Sequence, residues 1–239
     1  MVPLVYLGMQ EKNYLIAGGT SGIGRAIAEA LLAQGHQVWI LSRTDASIPG
    51  AHHISWDATA NTQPSGWPEV LHGLVYAPGS INLRSFRALK PDDFLNDFQV
   101  NLLGAVRLLQ AAHPALRAAQ QASVVLFSTV AVAQGMPFHA SVAASKGAVE
   151  GLGRSLAAEW APNINVNIIA PGLVNTPLAA KLLDSDVKKE NSAKRHPLGR
   201  VGNPEEIAAL ATFLLSEQAS WISGQVIGID GGLSALRTS

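Results

Sequence analysis

The chain has 239 residues, a length that fits one large α/β domain over residues 1–239. Lysine plus arginine and aspartate plus glutamate both number 17, so neither nucleic acid nor an anionic membrane surface is an expected partner. No cysteine is present, which excludes disulfides, thiol nucleophiles and thiolate metal sites and agrees with a cytoplasmic protein.

Short apolar runs alternate with helical periods along the chain. The runs that predict buried strands cover residues 14–17, 37–42, 53–57, 73–77, 123–128, 163–172 and 225–232. Helical patterns follow the first strand as RAIAEALLAQG and then cover residues 92–119, 141–160 and 204–216. This alternation predicts a single-domain Rossmann fold, an α/β doubly wound parallel sheet with helices on both faces. The segment RTDASIPGAHH, between the second and third strands, is too short for a full covering helix.

A glycine-rich turn, GGTSGIG, joins the first strand to the first helix. Gly18, Gly22 and Gly24 let the backbone turn sharply and come close to a pyrophosphate, and the helix N-terminus adds free N–H groups. A merely tight turn explains one glycine better than three. The position of the trio at the start of a βαβ pattern therefore predicts a dinucleotide site.

The end of the second strand indicates which dinucleotide is favoured. An acidic residue there binds the ribose 2′-hydroxyl, whereas arginine accommodates a 2′-phosphate. The chain reads SRT, with Ser42 and Arg43, so NADP(H) is favoured over NAD(H). Two alternatives stay open, since Arg43 can be a solvated loop residue and Asp45 is near enough in sequence to reach the ribose.

Six stretches of the chain follow one another in a familiar order. They are AGGTSGIG (17–24), Asp57 after the third strand, VNLLG (100–104), APGLVNTPL (170–178), RVGNPEEIA from Arg200 and ISGQVIGIDGG from Ile222. The pattern resembles the short-chain dehydrogenase/reductase family, especially its 3-oxoacyl-carrier-protein reductase branch, over nearly the whole chain. Together with the glycine turn and the SRT stretch, the resemblance implies these cofactor-binding residues: Gly18, Thr20, Ser21, Gly22, Ile23, Gly24, Ser42, Arg43, Asp57, Ala77, Lys146, Pro171, Gly172, Val174 and Thr176.

Within that site the resemblance implies that Asp57 lies beside the adenine. It also implies that the Val174 backbone and the Thr176 hydroxyl hold the nicotinamide carboxamide. The family's NNAG stretch is replaced here by YAPG (76–79), so amides that normally stabilise the strand end are lost.

The family's reductases use Asn, Ser, Tyr and Lys, with Tyr and Lys spaced YxxxK so that the ammonium lowers the pKa of the phenol. Asn101 and Lys146 match the asparagine and the lysine, and Thr129 stands on the serine position. Val142 stands on the tyrosine position. The resemblance thus implies a reductase site without its usual acid, a loss that slows reduction by roughly 10²- to 10⁴-fold.

His139 is the nearest group able to replace that acid, three residues before Val142 at the mouth of the helix. An imidazole titrates near neutral pH and is suited to donate a proton there. We therefore predict that His139 donates the proton, Thr129 orients the substrate and Lys146 binds the nicotinamide ribose. The alternatives are that His139 is a loop or subunit-contact residue, and that Tyr76, near the cofactor edge, is the donor.

The leading interpretation is an NADP(H)-dependent oxidoreductase that transfers hydride between the nicotinamide and a small-molecule carbonyl or alcohol substrate. One alternative is a noncatalytic NADP(H)-binding protein that acts as a sensor or partner subunit, which Val142 favours. Another is a lyase or isomerase without net redox chemistry. Substrate choice is assigned to residues 178–198, which resemble a mobile lid. The histidines lack metal-ligand spacing, so no metal site is predicted.

Composition and resemblance both bear on assembly. Hydrophobic residues make up 48% of the chain and charged residues 14%, which suggests elements covered by partner chains. The family's usual assembly, built on the helices that hold Asn101 and Lys146, implies a homotetramer. The start, MVPLVYLGMQEKN, has no basic leader, and no apolar run approaches the roughly 18 residues of a spanning helix. We therefore expect a soluble protein without a membrane partner.

Overall fold

The computed structural model describes residues 11–45 and 47–237. Within that part of the chain, seven parallel strands form one sheet in the order β3-β2-β1-β4-β5-β6-β7. The strands are β1 (Asn13–Ala17), β2 (Gln37–Ser42), β3 (Ala51–Ser55), β4 (Gly73–Tyr76), β5 (Ala122–Phe127), β6 (Ile164–Pro171) and β7 (Val226–Ile229).

The described helices cover the sheet. They are α1 (Gly22–Ala33), α2 (Pro91–Phe98), α3 (Gly104–Ala118), α4 (Val130–Gln134), α5 (Ala140–Trp160), α6 (Asp186–Arg195) and α7 (Pro204–Leu215). A π-helical turn, Gln99–Leu103, joins α2 to α3, and 3₁₀ turns cover Phe86–Ala88, Pro177–Leu182 and Glu217–Ala219. None of the helices in the described ranges combines the length and the apolar character that a membrane crossing requires.

The strands are buried on both faces. Neighbouring residues of β1 show this, because Leu15 belongs to a core cluster packed under α3 and α5, whereas Ile16 belongs to a second cluster packed under α1 and α7. Both side chains are fully buried. Strands buried in this way read as continuous apolar runs rather than alternating ones. The predicted doubly wound Rossmann fold with helices on both faces is confirmed.

The connection between β2 and β3 lacks a helix in its described residues, 43–45 and 47–50, as its length predicted. Buried Ile48 joins the core cluster under α1 and α7, and the His52 ring stacks on Trp39 with centroids 4.8 Å apart. β3 ends two residues earlier than predicted, because Ser55 pairs with Ser42, the last residue of β2. Asp57 therefore lies in the loop after the strand.

The carboxyl ends of all the parallel strands meet at one edge of the sheet. Strand order reverses at β1, which pairs with β2 on one side and with β4 on the other. The loops after β1 and β4 leave the sheet at this point, and the Ala77 amide still donates to the Ala17 carbonyl at 3.1 Å. In open α/β sheets a crevice at such a switch point is the usual ligand site.

Candidate functional site

Two clefts open at the switch point. The glycine-loop cleft, of about 440 Å³, is lined by the turn after β1 and by the loops after β2 and β3. The Lys146 cleft, of about 500 Å³, is lined by residues of α5, the loop after β6 and the segment up to α6. They share the lining residues Ile23, Ala77, Gly79, Thr176 and Leu178. The two clefts therefore form one continuous groove.

The backbone of the glycine-loop cleft requires its glycines. Gly18 and Gly22 have φ angles of +73° and +53°, a region that side chains disfavour. A Cβ on Gly24 would lie 2.3 Å from the Gly18 carbonyl oxygen. Thr20, Ser21 and Ile23 line the same turn, with Ser21 at the N-cap of α1. A bare backbone beside a helix N-terminus fits the pyrophosphate of a dinucleotide.

The predicted selectivity residues lie where the sequence indicated. Ser42 and Arg43 line the glycine-loop cleft, and the Arg43 side chain is exposed. The Ser42 hydroxyl donates to the Thr44 carbonyl at 2.7 Å. Asp45 lies instead at a neighbouring hollow of about 120 Å³, where its Oδ1 accepts from the Ser47 amide at 2.8 Å. In this arrangement arginine, rather than Asp45, is available to the cleft.

Asp57 also lines the glycine-loop cleft. Its Oδ1 accepts from the backbone amide of Thr59 at 2.8 Å and from the Thr59 hydroxyl at 2.7 Å. These hydrogen bonds, with a smaller contribution from Arg43, lower the pKa of Asp57. An ionised carboxylate is thus fixed at neutral pH on the part of the cleft where the adenine was expected.

The loop after β6 joins the two clefts. Pro171, Gly172, Val174 and Thr176 line the Lys146 cleft, and Thr176 also lines the glycine-loop cleft. A Cβ on Gly22 would lie 3.3 Å from the Thr176 Cβ, so the threonine packs directly over the glycine turn. The Thr176 hydroxyl accepts from the amide of Ala179 at 3.3 Å.

A neighbouring segment braces that loop. The Gly202 amide donates to the Leu173 carbonyl at 3.0 Å, and the Asn175 amide donates to the Gly202 carbonyl at 2.9 Å. Arg200 forms two hydrogen bonds to Glu206, at 2.8 and 2.5 Å. The RVGNPEEIA stretch therefore fixes the backbone around Val174.

Lys146 lies at the floor of its cleft. The ammonium is buried and donates to the Phe127 carbonyl at 2.9 Å. Burial lowers the pKa of Lys146 to about 8, against a smaller opposite effect of the Asp97 carboxylate. Asn101 lies close by, since a Cβ on Gly79 would be 3.5 Å from the Asn101 Oδ1 and 3.6 Å from the Lys146 Nζ.

A buried polar array surrounds Asn101, which is held in the π-helical turn. Its Nδ2 donates to the hydroxyls of Ser80 and Ser145, both at 3.0 Å. The Ser80 hydroxyl donates in turn to the Asp97 Oδ1 at 2.5 Å. The Asp97 Oδ2 is buried and has no hydrogen-bond partner among the described residues. Sequence reasoning missed Ser80, Asp97 and Ser145, although Asp97 lies four residues before Asn101, on the same helix face.

Thr129, His139 and Val142 line the Lys146 cleft together with the lysine. The Thr129 Oγ1 accepts a hydrogen bond from the Ala131 amide at 3.3 Å. The Thr129 hydroxyl can therefore still donate a hydrogen bond to a molecule in the cleft. The His139 Nδ1 lies 2.8 Å from the Pro137 carbonyl, so this nitrogen carries the hydrogen. Val142 is only 6% exposed. The structure therefore brings the predicted residues into one cleft, with valine at the wall.

Tyr76 is not placed as an acid. Its hydroxyl donates to the Val100 carbonyl, and burial raises its pKa. A Cβ on Gly104 would overlap the phenol oxygen, at 2.2 Å, so the ring packs beneath the start of α3. Tyr14 is likewise buried in the core, and Tyr6 lies outside the described residues. The alternative that Tyr76 supplies the proton does not fit this geometry, because the strand directs its side chain into the core.

His196 is a further cleft residue that sequence reasoning did not assign to the site. It is buried, its Nδ1 lies 2.8 Å from the Ser192 carbonyl, and the Leu173 amide donates to its Nε2 at 3.4 Å. The ring thus joins the end of α6 to the loop after β6. The described residues contain no group of three or more His, Asp or Glu side chains arranged to hold a metal ion.

A parallel sheet with a glycine-lined crevice at its switch point defines a dinucleotide-binding domain of the Rossmann class. Comparison with known proteins narrows the class. Residues 17–234 match the family model described as Enoyl-(Acyl carrier protein) reductase. A tropinone reductase homologue of Arabidopsis thaliana is 33% identical, with 95% of this chain and 94% of the homologue covered. The 3-oxoacyl-[acyl-carrier-protein] reductase MabA of Mycobacterium bovis is 32% identical, with 93% of each chain covered.

Solved structures agree. Ligand-free aldohexose dehydrogenase of Thermoplasma acidophilum superposes with a TM-score of 0.86 at 28% identity, covering 96% of this chain and 97% of that one. ElxO with NADP bound gives a TM-score of 0.84 at 26% identity, covering 95% and 100%. The chain belongs to the short-chain dehydrogenase/reductase family of oxidoreductases, as its motifs predicted.

Proposed function

We propose that the protein is an NADP(H)-dependent oxidoreductase that transfers hydride between the nicotinamide and a carbonyl or alcohol substrate. The observation that carries the proposal is the continuity of the two clefts, which connects the bare glycine turn to the buried lysine. A dinucleotide is long and polar at one end and presents its reactive ring at the other. The groove offers matching chemistry at its two ends.

Each part of the cofactor has residues suited to hold it. Gly18, Gly22 and Gly24 would hold the pyrophosphate, with Thr20, Ser21 and Ile23 completing the turn and Ala77, after β4, packed against it. Asp57 would lie at the adenine, and Lys146 at the nicotinamide ribose. The end of β6 and the loop after it would hold the nicotinamide, through Pro171, Gly172, Val174 and Thr176. Arg43 supports NADP(H) over NAD(H), because it lines the cleft while Asp45 is engaged by Ser47.

The proposed reduction uses two groups of the protein at the carbonyl and a third at the cofactor. NADPH, when bound, supplies the hydride. The Thr129 hydroxyl donates to the carbonyl oxygen and orients it. The Lys146 ammonium, still largely protonated at neutral pH, would hold the nicotinamide ribose beside that carbonyl. His139, with a hydrogen on both ring nitrogens, gives the alkoxide the proton of Nε2 and is left as the neutral ring, its Nδ1 hydrogen still bonded to the Pro137 carbonyl.

His139→Gln tests the proton donor. We expect kcat/KM for carbonyl reduction to fall by roughly 10²-fold while the dissociation constant of NADPH stays unchanged. His113→Gln is the matched control, because His113 packs against Trp160 with centroids 4.8 Å apart and does not line the cleft. Full turnover in a His139→Ala variant would remove His139 from the mechanism.

A noncatalytic NADP(H)-binding protein, acting as a sensor or partner subunit, is the second candidate. The buried Val142 favours it, because that side chain cannot donate a proton from the wall of the cleft. Fluorescence titration with NADPH, followed by absorbance with a panel of carbonyl compounds, separates the two. Binding without oxidation of NADPH supports the second candidate. Conversion of a substrate with no net change in NADPH would instead indicate a lyase or isomerase.

We also propose a homotetramer. Leu95 on α2 and Leu103 at the end of the π-helical turn are 66% and 41% exposed, and Trp221, before β7, is 99% exposed. Large exposed apolar side chains at two separate surfaces suit contacts with other copies of the chain. Sedimentation velocity at micromolar concentration checks the proposal, and a monomer would contradict it. The cytoplasmic location stays a prediction.

A further inference from the structure

The charged residues that line the Lys146 cleft all have the same sign. They are Lys146, Lys181, Lys188 and Arg195, and no aspartate or glutamate of the described chain belongs to the lining. The chain as a whole has equal numbers of acidic and basic residues. A lining whose charges are all positive attracts a ligand of negative charge.

Helix α6 carries lysine and arginine on two sides: an inner side that lines the Lys146 cleft and an outer side that does not. Lys189 and Lys194 lie outside the cleft lining, and each pairs with an acid of the same helix. The Lys189 ammonium is 3.7 Å from Asp186, and the Lys194 ammonium is 2.7 Å from Glu190. The lysines on the outer side of the helix are therefore paired with acids, and neither pair includes a residue that lines the cleft.

Two of the three cations on the inner side lack an acidic partner among the residues that the structure describes. Within the described ranges, neither Lys181 nor Arg195 has a carboxylate within salt-bridge distance. Arg195 instead donates to the hydroxyl of Ser192 at 3.3 Å. Lys188 pairs with Asp184 at 2.9 Å and also donates to the Lys181 carbonyl at 3.0 Å. That second bond holds α6 against the 3₁₀ turn, so the three cations share one wall.

The remainder of the cleft is largely apolar between this wall and the reactive floor. Its large hydrophobic lining residues include Ile81, Leu83, Met136, Leu178, Leu182 and Leu233. Thr129 and Lys146 form the floor at one end, and the three cations lie on the segment that covers the cleft at the other. A molecule that satisfies both ends has a carbonyl, an apolar body and a negative charge.

We propose that the substrate is a carbonyl compound with an apolar body and an anionic group, either a carboxylate or a phosphoryl group, bound by Lys181, Lys188 and Arg195. The proposal rests on the proposed oxidoreductase function, which it narrows to a substrate class. The cations bind the anion by charge-assisted hydrogen bonds, and the apolar body fills the cleft between them and the floor.

Calorimetry with unreactive probes tests the anion site apart from turnover. The protein, with and without NADP⁺, is titrated with heptanoate, hexyl phosphate and hexan-1-ol, which share the same six-carbon apolar chain. We expect at least one anion to bind about tenfold more tightly than the alcohol, an advantage that falls in 0.5 M salt. The tighter of the two anions identifies the group. Equal affinity for all three probes would overturn the proposal.

Variants locate the binding on the structure. Lys181→Gln with Arg195→Gln should remove most of the anion's advantage while leaving the affinity for hexan-1-ol and for NADPH unchanged. Lys189→Gln with Lys194→Gln is the matched control, with the same change of charge on the outer side of α6. An equal loss in both double variants would show a general charge effect and overturn the proposed site. A protein that binds heptanoate through Lys181 and Arg195 but oxidises no NADPH would refute the proposed function and leave the anion site standing.

Discussion

The two clefts of the site are built in different ways. The glycine-loop cleft is shaped mainly by backbone, with Gly18 and Gly22 in conformations that side chains disfavour and Gly24 against a carbonyl oxygen. The Lys146 cleft is shaped by side chains brought from distant segments. A backbone site fails when one Cβ is added, whereas a side-chain site keeps its shape when one functional group is exchanged. The comparison explains how Val142 can stand beside an intact glycine loop.

Because the two clefts are built differently, cofactor binding and the proposed reaction depend on different residues. The groups suited to hold a dinucleotide lie on rigid strand ends and turns, and their arrangement does not depend on the residue at position 142. The proposed proton transfer depends on a single side chain, His139, in the lining of the Lys146 cleft. Variants that alter one cleft should therefore leave the function of the other measurable.

The largest effect is expected at Gly24. In Gly24→Ala the added Cβ would lie 2.3 Å from the Gly18 carbonyl oxygen, so the turn has to move. We expect NADPH affinity, measured by fluorescence titration, to fall by at least about 10²-fold. Gly147→Ala is the control, because its Cβ would meet only Val132, at an ordinary 3.6 Å. Unchanged affinity in Gly24→Ala would mean that the cofactor binds elsewhere.

Val142→Tyr changes the Lys146 cleft, and it should increase the rate of carbonyl reduction. The tyrosine would stand one helical turn before Lys146, whose ammonium favours the ionised phenol. We expect kcat for carbonyl reduction to rise by about 10²-fold, with little change in NADPH affinity. Val142→Phe adds the same ring without the hydroxyl and should give no gain. Equal rates for the two variants would show that the missing acid does not limit the reaction.

The buried Lys146 ammonium should lower the free energy of unfolding at neutral pH, because the folded-state pKa of Lys146 is about 8, below the ordinary 10.5. We call this loss of free energy the cost of the buried charge. Below pH 8 the lysine is charged in both states, so the whole cost is present. Between pH 8 and 10.5 the folded state releases its proton first, and the cost disappears as pH rises. At pH 7, Lys146→Met should therefore be more stable than the parent by up to about 3 kcal/mol. The lost bond to the Phe127 carbonyl offsets about 1 kcal/mol.

Urea unfolding at pH 7, 8, 9 and 10 measures this difference, which should shrink steadily across the series. Lys189→Met on exposed α6 is the control and should show no such trend. Asp97→Asn sharpens the test, because the Asp97 carboxylate favours the charged ammonium and its loss should lower the pKa of Lys146 further. A difference between Lys146→Met and the parent that is independent of pH would contradict the buried-charge explanation.

The smallest effect is expected at Tyr76. Tyr76→Phe removes the hydrogen bond to the half-buried Val100 carbonyl and should destabilise the fold by about 1 kcal/mol in thermal or urea unfolding. Turnover and NADPH affinity should be unchanged, because the phenol packs beneath Gly104 rather than in either cleft. A large loss of turnover with normal stability would instead restore Tyr76 as a proton donor.

The fold and the glycine-loop cleft were predictable because their signals are local. Apolar runs set the strands, and the glycine trio follows directly from the turn between β1 and α1. The short RTDASIPGAHH segment predicted that no full helix covers β2 and β3 here, and its described residues form none; buried Ile48 covers part of that face instead.

The missed parts of the site depend on contacts between distant segments. Ser80 and Asp97 meet because the loop after β4 folds back onto α2, and no periodicity reports that contact. The sequence showed residues 178–198 only as a mixture of acids and bases. Which of Lys188 and Lys189 lines the cleft depends on the rotation of α6 about its axis, which only the tertiary structure determines.

The π-helical turn Gln99–Leu103 places one extra residue within a helix that would otherwise run unbroken from α2 into α3. Such an insertion changes the angular phase of everything before it by about 100° relative to the residues after it. It lets Asp97 reach Ser80 while Gly104 stays over Tyr76. Deleting a single residue within this turn would realign the two halves and rotate the Asp97 carboxylate out of the array. The buried polar array beside Lys146 thus depends on chain length at this point as much as on residue type.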